Sequence, residues 1–131
     1  MRISRLIAVV AALLLGAGAA MAQMGDMGPF KMGQTSAGMI MVDAKGMTLY
    51  TYDRDTEANK SSCTGTCLTN WPAVIAAADS KAVGKLTIIT REDGVKQWAY
   101  GGKPLYYYAK DMKVGDVVGD NPAGVWHVIK N

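Results

Sequence analysis

Residues 46–55 read Gly46-Met47-Thr48-Leu49-Tyr50-Thr51-Tyr52-Asp53-Arg54-Asp55, and residues 102–111 read Gly102-Lys103-Pro104-Leu105-Tyr106-Tyr107-Tyr108-Ala109-Lys110-Asp111. Gly46/Gly102, Leu49/Leu105, Tyr50/Tyr106, Tyr52/Tyr108 and Asp55/Asp111 coincide at a constant offset of 56. A repeat this tight implies one supersecondary unit used twice in a small domain. Met47 to Tyr52 is rich in Thr and Tyr, the composition of a strand.

The flanks extend the duplication. Met39-Ile40-Met41-Val42, the turn Asp43-Ala44-Lys45-Gly46 and the strand Met47 to Tyr52 read as a hairpin. Val95 to Tyr100, Gly101-Gly102 and Lys103 to Tyr108 read as a second, because a Gly-Gly pair supplies the positive φ of a two-residue hairpin loop. Leu86 to Thr90 precedes it across the turn Arg91-Glu92-Asp93-Gly94, and Val125 to Ile129 forms a last strand. Trp71 with Val74-Ile75, and Trp126 with Val128-Ile129, follow the two Asp residues at nearly equal spacing. Each half therefore holds a hairpin, a loop and a Trp-led strand. The expected fold is all-β, with antiparallel hairpins in two pseudo-symmetric repeats that form one small sandwich or partly closed barrel. One short helical turn is expected near residues 62–70, with Ser62 as its N-cap and Pro72 limiting it.

Residues 1–22 read as a signal peptide: Arg2 and Arg5, an apolar run from Leu6 to Leu15, and the Ala20-Met21-Ala22 cleavage pattern. No Cys follows that run, so no lipid anchor is expected at the cleavage site, and no later stretch reaches the ~20 apolar residues of a membrane span. The formal charge of +3 falls to +1 once the two leader arginines are removed. The remaining lysines are scattered among acids, which excludes the clustered basic face of a nucleic-acid binder. Residues 23–37, rich in Met and Gly, read as a flexible N-terminal segment, leaving 38–131 as a two-repeat β domain with repeats at about 38–75 and about 86–131.

Tyr50 and Tyr52 share one strand face, as do Tyr106 and Tyr108. Two readings stay open. The tyrosines pack and give their hydroxyls to Asp55 and Asp111, or the six residues make an aromatic and acidic binding face. Cys63 and Cys67, the only cysteines, are expected to form a disulfide, since three intervening residues with Gly65 allow the usual Cα separation of ~4.4–6.8 Å. A redox role competes with that reading, although C-x3-C is not a thioredoxin-like spacing. Leu68 stands where haem attachment needs His, and two Cys with the single distant His127 fall short of a zinc set. Asp116 and Asp120 lie in a Gly-rich loop without EF-hand spacing and read as turn residues. Met24, Met27 and Met32 are thioethers suited to Cu(I) and form the one candidate metal set. Trp71, Trp98 and Trp126 read as core anchors, too widely spread for a linear aromatic box.

The two Tyr-x4-Asp motifs, Cys63-Thr-Gly-Thr-Cys67 with Trp71-Pro72, Thr90 to Gly94 with Gln97-Trp98, and Gly124-Val125-Trp126-His127-Val128 together resemble the secreted repeat family of bacterial lipoproteins with the Tyr-x-(aromatic)-x-x-Asp motif. The resemblance covers roughly residues 38–131. It implies an exported two-repeat domain and no reaction, the family being of unknown function. The lipid-bearing Cys of its lipoprotein members is missing here, which suits a free periplasmic or secreted form. The expected role is a non-enzymatic binding or envelope-accessory module acting on an envelope protein or small ligand, without a cofactor. The alternative is copper handling or redox work through the Met-rich tail or the Cys pair.

Overall fold

A computed structural model describes residues 26–130. The leader and Met24 lie outside the described residues. Among these residues, seven strands and one short helix follow in chain order: β1 (Lys31–Thr35), β2 (Gly38–Val42), β3 (Tyr50–Tyr52), α1 (Thr66–Asn70), β4 (Leu86–Thr90), β5 (Lys96–Tyr100), β6 (Lys103–Pro104) and β7 (Trp126–Val128). All strand pairings are antiparallel: β1 with β2, β3 with β7, and β4-β5-β6 in one sheet. Single bridges join these sheets, among them Tyr50 to Tyr106, Val42 to Thr48, Ile40 to Lys130 and Ile75 to Gln97. The interior is filled by Phe30, Met41, Leu49, Val74, Ala76, Leu86, Trp98 and Leu105.

The Gly101-Gly102 loop is as expected. Tyr100 pairs with Lys103, and the two glycines have φ of 58° and 83°, the left-handed region that a two-residue hairpin requires. The first hairpin differs. Val42 meets Thr48 across the Asp43 turn, but β3 takes β7 as its ladder partner, with Tyr50 opposite Val128 and Tyr52 opposite Trp126.

The second copy does the same in reverse. Tyr106 bridges Ala73, Tyr107 N–H donates to the Pro72 carbonyl at 2.7 Å and Ala109 N–H to the Asn70 carbonyl at 2.8 Å. Each repeat therefore ends in a Trp-led segment, extended residues 71–75 in the first and β7 in the second, that pairs with the tyrosine segment of the other repeat. The two tyrosine segments meet directly: Tyr50 N–H donates to the Tyr106 carbonyl at 2.8 Å and Tyr106 N–H to the Tyr50 carbonyl at 2.9 Å.

Two expectations need correction. The segment 23–37 is not wholly flexible, because residues 31–35 form β1 and pair with β2 along its length. Phe30 is buried edge-on against Trp98 at 5.5 Å, and Met27 and Met32 pack on the core. The burial of these side chains offsets the ordering of a strand whose only β-branched residue is Thr35. The helix is shorter than 62–70 and Ser62 does not cap it. Gly65 occupies the N-cap position with no side-chain cap. Ser62 is held elsewhere, its N–H donating to Asp55 Oδ1 at 2.6 Å.

Candidate functional site

The Tyr and Asp residues of the motif pair across the repeats, not within them. Tyr50 Oη donates to Asp111 Oδ2 at 2.5 Å, and Tyr106 Oη donates to Asp55 Oδ2 at 2.7 Å. The second carboxylate oxygen of each Asp accepts a backbone N–H seven residues on, from Val118 at 2.9 Å and from Ser62 at 2.6 Å. All four side chains are buried. Burial pushes the Tyr50 and Tyr106 hydroxyls well above the usual phenol range, and their carboxylate partners add to it. Burial also raises the Asp111 carboxyl, and the charge of Asp116 adds to that, while the bonds from Tyr50 and Val118 act against it.

The Tyr106 pair is backed by a buried cation that the sequence reading missed. Arg91 Nη1 donates to Ser61 Oγ and to Gln97 Oε1, both at 2.7 Å, and Nη2 donates to the Cys63 carbonyl at 2.6 Å. Ser61 Oγ lies 2.6 Å from Tyr106 Oη. Because Tyr106 gives its proton to Asp55, Ser61 is the donor to Tyr106. The bonds thus run in one direction, from guanidinium to Ser61, Tyr106 and the Asp55 carboxylate, and each dipole supports the next. Gln97 Nε2 adds a bond to the Leu105 carbonyl at 2.8 Å. In sequence Arg91 opens a turn and looks solvated; only the fold buries it.

Above these pairs lies an aromatic ladder. Tyr52 stacks on Trp126 at 4.2 Å, Trp126 on Trp71 at 3.8 Å with planes 4° apart, and Trp71 on Tyr108 at 4.2 Å. All four rings are half-buried. Buried Tyr50 meets Trp71 edge-on at 5.3 Å, and buried Tyr106 meets Trp126 edge-on at 5.2 Å. Trp71 and Trp126 are therefore not buried core anchors, and they do form an aromatic assembly, because the segments that pair across the repeats bring them side by side. Trp98 alone of the three tryptophans fills the core.

The six motif residues divide accordingly. Tyr50, Tyr106, Asp55 and Asp111 are consumed by internal bonds, and Tyr52 and Tyr108 end the half-exposed ladder. Cys63 and Cys67 are joined in a disulfide with Cα atoms 5.3 Å apart. Cys63 is buried, and the Cys67 carbonyl accepts the Trp71 N–H at 2.8 Å, so the staple leads straight into one rung. A shallow cleft of about 260 Å³ beside it is lined by Thr64, Gly65, Leu68, Arg91, Glu92 and Asp93.

His127 Nε2 lies 2.7 Å from Asp53 Oδ2 at the surface, joining β7 to the residue after β3. Asp120 Oδ1 accepts the Val128 N–H, and Asp116 Oδ2 accepts those of Met112 and Lys113, both as loop braces. Among the described residues no group of three His, Cys, Asp or Glu side chains converges on a metal-sized site.

Two segments of the chain, 31–75 and 87–130, each match the model of a family described as a secreted repeat of unknown function. No curated protein and no solved structure matches the chain. No helix among the described residues is long and apolar enough to cross a membrane.

Proposed function

Because the chain belongs to this family of secreted repeats, we propose that it works outside the cytoplasm as a non-enzymatic binding module whose recognition surface is the rim of the Tyr52–Trp126–Trp71–Tyr108 ladder. One observation carries the reading: four large rings, two from each repeat, are assembled in register yet left half-exposed. Aromatic residues of this kind supply much contact area with few rotatable bonds, which is why Tyr and Trp dominate binding hot spots. The groups best suited to proton transfer, the Tyr–Asp pairs, are buried and committed to each other. The partner is an envelope protein or small ligand that lays C–H groups and carbonyl oxygens along the ring edges.

The test uses the three indole N–H resonances of the mature protein during titration with fractionated envelope components. The reading expects the Trp71 and Trp126 signals to move together while the Trp98 signal stays. If every fraction leaves Trp71 and Trp126 unmoved, or moves Trp98 equally, the ladder is only structural. The competing reading, Cu(I) capture by Met24, Met27 and Met32, draws on two thioethers that lie half-buried against the core. Cu(I) titration with Met→Leu variants at these positions separates the two.

A further inference from the structure

The two repeats carry the same loop after the motif Asp, in the same conformation, with opposite surface chemistry. Residues 54–62 correspond to residues 110–118 at the motif offset of 56. Asp55 holds the Ser62 N–H as Asp111 holds the Val118 N–H. Lys60 N–H bonds the Glu57 carbonyl at 3.2 Å, and Asp116 N–H bonds the Lys113 carbonyl at 3.1 Å. Asn59 and Gly115 both adopt positive φ, 65° and 91°. Ala58 lies over Gly102 as Val114 lies over Gly46, where an added Cβ would meet Ala58 Cβ at 3.5 Å and Val114 Cγ1 at 2.9 Å.

The first loop shows that Thr56, Glu57, Ala58 and Ser62 suffice to build this turn. The second places Met112, Lys113, Val114 and Val118 at those positions. Met112 is 81 % exposed, Val114 66 % and Val118 62 %, three of the six large exposed hydrophobic residues among the described residues. Nothing in the loop's own architecture requires them. Lys110 and Lys113 are exposed beside them, and Lys45 adjoins Gly46 under Val114. The acids of the loop point inward: Asp111 is buried on Tyr50, and Asp116 Oδ2 accepts two backbone N–H groups. The loop is also held to the body, since Thr48 Oγ1 donates to the Asp116 carbonyl at 2.6 Å.

We propose that loop 110–118 is a lipid-docking surface, seating Met112, Val114 and Val118 in the interface of an anionic bilayer while Lys45, Lys110 and Lys113 meet headgroup phosphates. Apolar area combined with basic charge is what peripheral attachment to anionic lipid needs, and a rigid, pre-formed loop loses little entropy on docking. This surface is distinct from the ladder rim, so either reading can fail alone.

The experiment is sedimentation of mature protein with vesicles of phosphatidylcholine alone, or of phosphatidylcholine with phosphatidylglycerol. Wild-type protein is expected to bind the anionic vesicles, and added salt to release it. Exchanging the loop for its internal counterpart (M112T, K113E, V114A, V118S) is expected to weaken binding by about tenfold or more while the near-UV spectrum of the ladder stays intact. Installing the converse set in the first loop of that variant (T56M, E57K, A58V, S62V) is expected to restore it. The proposal is overturned if wild-type protein ignores anionic vesicles, if the exchange leaves binding unchanged, or if the loop instead drives self-association that the exchange abolishes.

Discussion

Trp71 and Trp126 stack with ring centroids 3.8 Å apart and planes 4° from parallel, although Trp71 closes α1 in the first repeat and Trp126 opens β7 in the second. Their contact, the Tyr50–Tyr106 bridge beneath it and the two crossed Tyr–Asp bonds bind the repeats at one seam. Each tyrosine segment takes its backbone partner from the other repeat, the mark of a duplicated unit that closes its core by pairing.

Gly119 guards one end of the ladder. A Cβ built there would lie 2.6 Å from the Trp71 ring and 3.0 Å from Tyr108. Gly119→Ala should displace the Trp71 rung and cost about 1–3 kcal/mol, the range for overpacking. Near-UV circular dichroism and a denaturant melt check this together; an unchanged spectrum contradicts it.

The duplication was legible because five motif positions repeat at one offset, and Gly101-Gly102 announced its hairpin. The crossing was not. Side-chain alternation says that Tyr50 and Tyr52 share a face, but not which strand lies alongside them. β1 was hidden because Lys31-Met32-Gly33-Gln34-Thr35 has no strong alternation; it pairs because Val42 packs over Gly33 and Met32 reaches the core. Arg91 resembled a turn residue, since its burial is decided by Ser61, Cys63 and Gln97, which only the fold gathers.

Replacing Arg91 by Met should leave the Ser61 hydroxyl, Gln97 Oε1 and the Cys63 carbonyl without their donor. A loss of roughly 2–4 kcal/mol follows from orphaned buried acceptors. Arg91→Lys, with a single ammonium that lacks the fork, should recover only part of it. Equal stability of all three proteins in urea melts would refute the relay.

Stability should depend on pH through Asp111. Its folded carboxyl is raised by burial, so its contribution is present below the ordinary carboxylate value of ~3.9 and is lost as pH rises through the raised folded value. The melting-temperature gap between wild type and Asp111→Ala should therefore narrow as pH climbs out of the acid range. At the alkaline end, Tyr50, Tyr106 and Tyr107 should stay protonated while the fold lasts. The stability they contribute is then lost as pH rises above ~10, where unfolded tyrosines ionise. Phenolate absorbance should report those three only on unfolding.

Removing the Cys63–Cys67 staple by double Ala substitution should cost about 2 kcal/mol by loop entropy. The ladder should loosen first at Trp71, whose N–H is held by the Cys67 carbonyl. Backbone amide exchange at Trp71, faster than at Trp126, would show it.

The crossed pairing is tested most directly by double-mutant cycles on folding stability with Tyr→Phe and Asp→Ala substitutions. Tyr50 with Asp111, and Tyr106 with Asp55, should show coupling of about 1–3 kcal/mol, as expected for bonds to a carboxylate. Tyr50 with Asp55, and Tyr106 with Asp111, should be additive within about 0.5 kcal/mol. Coupling confined to the same-repeat pairs would contradict the account.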